Sequence, residues 1–349
     1  MAYTTIDDPS AHFQATIYSG TGSTASVTNG GNSDLQPDFV WIKCRNVVRD
    51  HRLLDSSRGV QKELVSNGTA AEYTEATGFT AFQSDGFQHG GANGYGASGE
   101  NYVSFQWKAN GGTRSTFTES GDNMGGGYQV NTTAGFSIID YVGTGSAGYF
   151  SHGLGAAPEF IIIKNRSTTD GWRAWSHKLS GVTYRLYLHT TAAESSGWDS
   201  WTIGSSTVTL GTDGSVNRDG ENHIAYLFRG IQGYSKFGGY TGNGNVDGTF
   251  IYTGFKSSFV MVKPTSATGE WAMFDTKRNA YNETNDVLRA NNTAAESDSS
   301  GDNSIDILSN GFKMTGNGGW TNTNARTYIY AAFAENPFVT SGGVPCTAR

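Results

Sequence analysis

A glycine-rich segment at residues 143–148, Gly-Thr-Gly-Ser-Ala-Gly, has the letters and spacing of a dinucleotide-binding loop. Such a loop works only between a strand and a helix, because the amide groups at the helix N-terminus hold the pyrophosphate. No helical pattern follows residue 148. We therefore interpret this segment as a hairpin turn.

Two oxygen-rich segments have the residue types of a calcium site. Residues 243–248 resemble the start of a calcium loop, and residues 213–221 carry alternating Asp, Ser, Asn and Glu oxygens. The twelfth position counted from Asn243 is Gly254, so the bidentate carboxylate that closes such a loop is missing. Turn-forming Asn and Asp account for both segments. We predict no metal and no other cofactor, with calcium held in loops as the open alternative.

Hydrolysis would need a pair of carboxylates, a nucleophile elbow or a metal-binding helix. Glu296 and Asp298 are the closest carboxylates, but they lie in a Ser- and Asp-rich loop. Neither Gly-x-Ser-x-Gly nor His-Glu-x-x-His occurs. The histidines have no metal-ligand spacing, and we interpret His12, His51 and His152 as surface or turn residues. We expect that the protein is not an enzyme.

Three tryptophans in Gly- and Ser-rich stretches, Trp198, Trp201 and Trp320, are the candidate binding residues. An aromatic ring on a loop, beside Asn and Asp, can stack on a sugar while its neighbours hydrogen-bond the hydroxyls. We predict carbohydrate binding at these residues. Rings that cover a sandwich edge or fill a subunit contact are an equally open alternative.

The elements that would position these residues recur three times along the chain. An aromatic residue precedes a Gly-x-Gly turn at Tyr18, Tyr141 and Tyr240. An apolar run then ends in lysine at Lys43, Lys164 and Lys263, followed eight residues later by His51, Trp172 and Trp271. The string Thr-Ala-Ala-Glu ends at Glu72, Glu194 and Glu296, and a closing strand begins at Tyr102, Ile224 and Tyr328.

These patterns predict an all-β protein of three tandem β-sandwich repeats. The 48 glycines and the 13% aromatic residues are typical of many short strands joined by tight turns around a core. We place the repeats at residues 1–112, 134–232 and 233–349, the last with a C-terminal tail. Residues 113–133, rich in Gly, Ser, Thr and Asn, are predicted to be a linker. Thr-Ala-Ala-Glu could form at most one helical turn.

Charge and hydropathy exclude two classes of partner. The formal net charge is -7 and the basic residues are scattered, whereas nucleic-acid binding needs clustered Lys and Arg. No apolar run of transmembrane length occurs. The N-terminal residues lack a basic and then apolar signal region, so we expect synthesis in a cytoplasm and release by lysis.

Several strings resemble a family of marine tailed-phage virion proteins. They are Asn-Ser-Asp-Leu-Gln-Pro-Asp-Phe-Val-Trp-Ile-Lys at 32–43, Asp-Ser-Ser-Arg-Gly at 55–59, Trp-Lys-Ala-Asn-Gly-Gly at 107–112 and Phe-Ala-Glu-Asn-Pro-Phe at 333–338. Members of that family are described as tail-fibre or structural proteins with concanavalin-A-like, lectin-like modules. The resemblance covers almost the whole chain. It implies lectin-like sandwiches of the jelly-roll type and a virion location, and it brings no catalytic residue set.

We therefore expect a virion structural or adhesion protein, either a tail fibre or a surface-decorating protein, that binds host-surface glycans through its loops. Its expected partners are other virion proteins and further copies of itself, as a trimer or in a many-copy display. One alternative is a ligand-free capsid or tail cement protein, and a less favoured one is a virion-associated polysaccharide depolymerase. Nucleic acid and membrane are not expected as partners.

Overall fold

The computed structural model describes residues 2–347 and is almost entirely β. Within that range, 28 strands pair in antiparallel fashion. The two helices are a 3-10 turn at Pro9–Ala11, capped by Asp8, and one α-helical turn at Gly214–Asn217, capped by Asp213. The all-β prediction is confirmed. No helix in this range is long and apolar enough to cross a membrane.

The first part of the chain, residues 2–109, forms a main sheet with the strand order β1-β9-β3-β4 and a minor sheet with the order β2-β8-β7. The strands of this part are β1 (Phe13–Ser19), β2 (Ala25–Val27), β3 (Phe39–Cys44), β4 (Arg52–Asp55), β5 (Lys62–Glu63), β6 (Tyr73–Thr74), β7 (Phe79–Phe82), β8 (Phe87–His89) and β9 (Asn101–Trp107). Strands β5 and β6 pair with each other.

The second part, residues 110–232, has a main sheet β10-β11-β12-β19-β14-β15-β16 and a minor sheet β13-β18-β17. Its strands are β10 (Ser115–Phe117), β11 (Gly125–Asn131), β12 (Phe136–Val142), β13 (Gly148–Ser151), β14 (Phe160–Asn165), β15 (Arg173–Ser176), β16 (Leu186–Tyr187), β17 (Thr202–Ile203), β18 (Thr207–Leu210) and β19 (Asn222–Phe228).

The third part, residues 233–347, has a main sheet β20-β28-β22-β23-β24-β25 and a minor sheet β21-β27-β26. Its strands are β20 (Ser235–Thr241), β21 (Phe250–Tyr252), β22 (Phe255–Pro264), β23 (Ala272–Asp275), β24 (Asp286–Arg289), β25 (Ser297–Asp298), β26 (Ile305–Leu308), β27 (Gly311–Met314) and β28 (Thr327–Pro337). The predicted outer boundaries at residues 1 and 348–349 lie outside the described range.

The strand that carries a recurring lysine near its end has the same neighbours in each main sheet. Strands β3, β14 and β22 each lie between a closing strand (β9, β19 or β28) and a short strand (β4, β15 or β23). In β3, Phe39 and Trp41 face one apolar cluster, whereas Val40 and Ile42 face another that includes Phe87 of the minor sheet. A strand buried on both faces must be apolar throughout, which explains the continuous runs in the sequence. Main and minor sheets packed in this way are consistent with a β-sandwich.

The three main sheets share one aromatic core. Trp107, Phe228 and Phe333 occupy corresponding positions near the ends of the three closing strands, and all are buried. Their ring centroids lie 6.2 Å (Trp107–Phe228), 5.8 Å (Phe228–Phe333) and 5.5 Å (Trp107–Phe333) apart. The three inner sheet faces therefore meet at one central triangle of aromatic rings.

Residues 113–133, predicted above as a linker, instead contain β10 and β11, which extend the second main sheet beyond β12. The glycines serve close packing, because a Cβ on Gly126 would lie 2.1 Å from the carbonyl oxygen of Asp140 on the neighbouring strand. Ahead of β10, the chain is held by Asp38, whose carboxylate accepts from the amides of Ala109, Gly111 and Gly112. The linker prediction fails because glycine is typical of both flexible and closely packed backbone.

The Thr-Ala-Ala-Glu strings have no helical turn, and each contacts the next part of the chain. Asp170 N donates to Thr69 O (2.9 Å), which joins the first part to the second. Gly269 N donates to Thr191 O (2.8 Å), and Arg49 N donates to Thr293 O (3.1 Å). The last contact joins the third part to the first, so the three parts form a closed ring.

The ends of the described chain lie together at the third main sheet. The Tyr3 hydroxyl donates to Gly254 O at 2.8 Å. The Asp7 carboxylate accepts from the backbone amide of Ser341 at 2.6 Å and also from its hydroxyl. Both ends are therefore fixed to the same side of the ring.

Candidate functional site

Trp201, one of the predicted sugar-binding residues, is part of the main apolar core. Only 3% of its surface is exposed. The guanidinium carbon of Arg185 lies 3.7 Å from the centroid of its ring, and that guanidinium donates to the carbonyls of Val182, Tyr184 and Asp199. A sugar cannot reach this ring, so Trp201 is a structural residue.

Trp198 and Trp320 are half-buried, and an arginine covers one face of each ring. Arg173 lies 4.7 Å from the Trp198 ring centroid, and Arg289 lies 4.7 Å from that of Trp320. The indole nitrogen of Trp198 donates to the Ser195 hydroxyl at 3.1 Å. These residues belong to different parts of the chain, so the three predicted tryptophans do not form a common site.

The glycine-rich segment at 143–148 leads into strand β13, as a turn should. A Cβ on Gly143 would lie 2.3 Å from the carbonyl oxygen of Arg218, so close backbone packing accounts for that glycine. In the oxygen-rich segment at 243–248, the Asn322 side-chain amide donates to Asn243 Oδ1 and to Asn245 O. Across residues 2–347, no group of three or more His, Cys, Asp or Glu side chains is arranged to hold a metal ion.

A surface cavity of about 890 Å³ is an open groove between the second and third main sheets, which we call groove A. Trp175, His177 and Lys178, at and after the end of β15, form one wall. Strand β20, with Gly238 and Gly239 at its middle, lies opposite. Strand β21 contributes Phe250 and Tyr252, which are 45% and 47% exposed.

A second groove of about 570 Å³, which we call groove B, lies between the third and first main sheets. Thr276 and Lys277 follow β23 as His177 and Lys178 follow β15, and they form one wall. Strand β1 forms the other wall, and Tyr281, 81% exposed, lies at the rim. Both β1 and β20 are edge strands of their sheets, so the two grooves occupy corresponding places in the ring.

A family model described as a domain of unknown function (DUF7483) matches residues 8–337. The chain belongs to this family. The match runs from ahead of β1 to the last residue of β28, so the DUF7483 domain comprises all three main sheets. No curated protein and no solved structure gives a significant match to the chain.

Groove A of this DUF7483 domain carries positive charge. Lys178 and Lys236 line it, together with the carboxylate of Glu159. Lys236 donates to Tyr252 O at 2.8 Å, and its pKa is lowered, first by burial and then by the neighbouring Lys178. The indole nitrogen of Trp175, a residue only 6% exposed, has no hydrogen-bond partner within residues 2–347. The groove therefore offers two cations and exposed aromatic rings to a ligand.

The remaining recurring residues of the DUF7483 domain hold the ring together. The indole nitrogens of Trp172 and Trp271 donate to Val65 O and Tyr187 O in the preceding part of the chain. At the corresponding place, His51 Nε2 lies 2.9 Å from Arg289 O of the third part. His51 and His152 are both fully buried, so their interpretation as surface or turn residues is wrong. Burial lowers the pKa of each histidine.

Neither groove was predicted from the sequence of the DUF7483 domain. Groove A had a weak signal, namely two adjacent glycines, Gly238 and Gly239, within a β pattern and the alternating aromatic residues Phe250 and Tyr252. The walls come from residues that are far apart in the chain, and a single sequence does not indicate that they meet.

Proposed function

We propose that the chain consists of three copies of one lectin-like sandwich of the jelly-roll type, closed into a ring. The support comes from residues that occupy corresponding positions in the three parts of the chain. The recurring lysines are the last residue but one of corresponding strands, the recurring Thr-Ala-Ala-Glu strings contact the next part of the chain, and the aromatic triangle joins corresponding closing strands. The insertion at residues 113–133 adds an edge to the second copy alone.

We propose that this ring is a non-enzymatic structural protein of a phage virion, a tail-fibre or surface-decorating component that contacts other virion proteins and is displayed in several copies. The observation that carries this proposal is the shared core of Trp107, Phe228 and Phe333. It makes three sandwiches into one rigid body whose surface is free for contacts. The resemblance of the sequence to marine phage virion proteins supplies the location.

Host adhesion is the second candidate function, and groove A favours it. Exposed Phe250 and Tyr252 lie beside Lys178 and Glu159, and aromatic faces next to charged groups suit a glycan. Weak contacts would add up over many displayed copies. A ligand-free cement protein would need no such groove. Neither Trp198 nor Trp320 lines groove A.

Labelling purified particles of the encoding phage with an antibody against this protein tests the virion role. We expect label on the particle surface, and label only in the soluble lysate would contradict it.

A glycan array and a host-cell adsorption assay, each with the wild type and with Tyr252→Ala, separate the adhesin from the cement protein. Incubation with host polysaccharide should release no reducing ends, whereas release would indicate a depolymerase.

A further inference from the structure

The ring has three corresponding junctions, and at one of them the groove is filled by the chain itself. Between the first and second parts, strand β11 lies along the edge of β12. Its Gln129 is fully buried and donates to the hydroxyls of Ser57 (2.6 Å) and Ser56 (2.9 Å). Ser56 and Ser57 follow β4 as His177 and Lys178 follow β15. An extended strand is thus the occupant that this junction accepts.

In groove A, the main chain of β20 is available for the same pairing. Gly242 N donates to Arg326 O (2.9 Å), and Ala334 N donates to Tyr234 O (2.7 Å). Along an antiparallel strand, residues that bond to the neighbouring strand alternate with residues whose main chain faces the other way, so these two bonds show which residues of β20 face β28. Phe237 and Gly239 must therefore direct their N–H and C=O groups away from β28, into the groove. No hydrogen bond from residues 2–347 reaches these groups. At the filled junction the residue that corresponds to Phe237 is Ile138, which pairs with Gln129.

The side chains around groove A select among extended segments. Trp175 lines the groove, and its buried indole N–H lacks an acceptor among the described residues. Lys178 and Lys236 form no ion pair with any described carboxylate, so an acidic side chain on the added strand would be favoured. A Cβ on Gly239 would lie 3.4 Å from the Cβ of Lys178, so the Lys178 side chain starts directly beside the edge strand.

Groove B is less suited to the same role. The Gln14 amide on its edge strand donates to Ser10 O (3.0 Å) and Ser33 O (2.9 Å), which fixes a loop against the strand. Its Lys256 is already paired with Glu335 at 2.9 Å. Groove B therefore provides a matched control within the same molecule.

We propose that groove A binds an extended, acidic polypeptide segment of another protein, which pairs with the edge of β20 as β11 pairs with β12. This mode of recognition is β-strand addition, in which main-chain hydrogen bonds supply affinity and side-chain contacts supply specificity. The inference goes beyond the proposed virion role and stands independently of it, because it rests only on the junctions of the ring.

A displayed library of random nine-residue peptides, selected on the purified full chain, tests the proposal. We expect selected peptides rich in β-forming residues with at least one Asp or Glu. On binding, hydrogen exchange at the amides of Phe237 and Gly239 should slow. Lys178→Glu should weaken binding about tenfold, the effect of losing one charged contact, whereas Lys277→Glu in groove B should leave it unchanged.

Gly239→Pro removes an N–H that faces the groove and spares the ladder to β28, so it should also weaken binding about tenfold. Thermal unfolding shows whether Gly239→Pro is folded. If it is not folded, the binding of Lys178→Glu and the hydrogen-exchange measurements test the strand-addition proposal instead. Failure to select any binder would overturn the proposal. So would binders that neither protect Phe237 and Gly239 nor respond to Lys178→Glu, or an oligosaccharide that binds groove A without slowing exchange at β20. The virion role would survive each of these results.

Discussion

The recurring glutamates differ in what they contact, although their sequence context is the same. Glu296 accepts from Arg45 (2.8 and 3.0 Å) and from Arg278 (3.0 Å), which ties the third part of the chain to the first. Burial acts to raise the pKa of Glu296, but the hydrogen bonds and charges of the two arginines outweigh it and hold that pKa below its usual range. Among residues 2–347, the carboxylate of Glu194 accepts hydrogen bonds only from the amide and the hydroxyl of Ser180.

Substitution at these two positions measures what the arginine contacts contribute. Glu296→Gln should lower the free energy of unfolding by about 3 kcal/mol, because it leaves the fully buried Arg278 with one charged partner fewer. Glu194→Gln, the matched control, should cost less than about 1 kcal/mol. Urea denaturation of both variants checks this. Equal losses would mean that the arginine pairs do not stabilise the ring closure.

The recurring lysines are buried cations at the same junctions. The ammonium group of Lys43 donates to the carbonyls of Cys44 (3.0 Å), Arg49 (2.9 Å) and Thr293 (3.1 Å), the last across the junction with the third part. Burial lowers the pKa of Lys43 to about 8 and that of Lys263 to about 7. Each of the three ammonium groups donates to backbone carbonyls of its own part, and those of Lys43 and Lys263 also donate across a junction, to Thr293 O and Thr191 O.

Lys43 should make stability depend on pH. Its pKa in the unfolded chain is near 10.5, so between pH 8 and 10.5 the unfolded state binds more protons than the folded state, and stability rises with pH. From pH 7 to pH 9, wild type should gain about 1 kcal/mol relative to Lys43→Met. Urea titrations at both pH values measure the difference, with exposed Lys277→Met as the control for loss of charge. A constant difference between wild type and Lys43→Met would contradict the assignment.

At the scale of elements, strands buried on both faces were predictable, whereas strands β10 and β11 were not. The run Phe39–Cys44 is apolar at nearly every position because both sides are covered, and that pattern favours a strand once the turn residues on either side of it are taken into account. Strand β11 begins Gly-Gly-Gly, which local preference assigns to a flexible linker. Its strand conformation comes from pairing with β12 and from Gln129, contacts that only the folded chain provides.

Gln129→Ala tests how firmly β11 is held. The substitution removes the bonds to the Ser56 and Ser57 hydroxyls and to the amide of Gly112 (2.9 Å), and should cost about 2 kcal/mol. Hydrogen exchange at Ile138 and Asp140, whose amides face β11, should become faster.

Gln88→Ala on the half-buried strand β8 is the control, and it should leave exchange at Ile138 unchanged. Unaltered exchange at Ile138 in Gln129→Ala would mean that main-chain pairing alone retains β11.

At the scale of the whole molecule, the all-β class could be predicted from the sequence, but the ring could not. The three tandem repeats stay a proposal that rests on four sequence anchors in constant order. Ring closure depends on contacts between residues such as Arg45 and Glu296, which are remote in the chain and carry no local pattern. For the same reason, the sequence does not show that Trp201 is buried, because a residue in a loop can pack into the core through contacts with remote parts of the chain.

Phe228→Ala should destabilise the entire ring. Removal of one ring from the aromatic triangle leaves a cavity at the centre, which should cost about 3–5 kcal/mol. Calorimetry should record a single transition at lower temperature, because all three main sheets contribute to one core. Phe250→Ala, on an exposed ring of groove A, should change the transition little. Separate transitions for the three parts would contradict a shared core.

The contact between Asp7 and Ser341 has a consequence for how this domain can be combined with others. Residues 8 and 337 are the limits of the family match, and the chain enters and leaves the ring at neighbouring points. A body with adjacent entry and exit can be inserted into a surface loop of a host protein without stretching that loop. The DUF7483 ring is therefore suited to be carried as a side branch on a larger polypeptide as well as to stand in series with other domains.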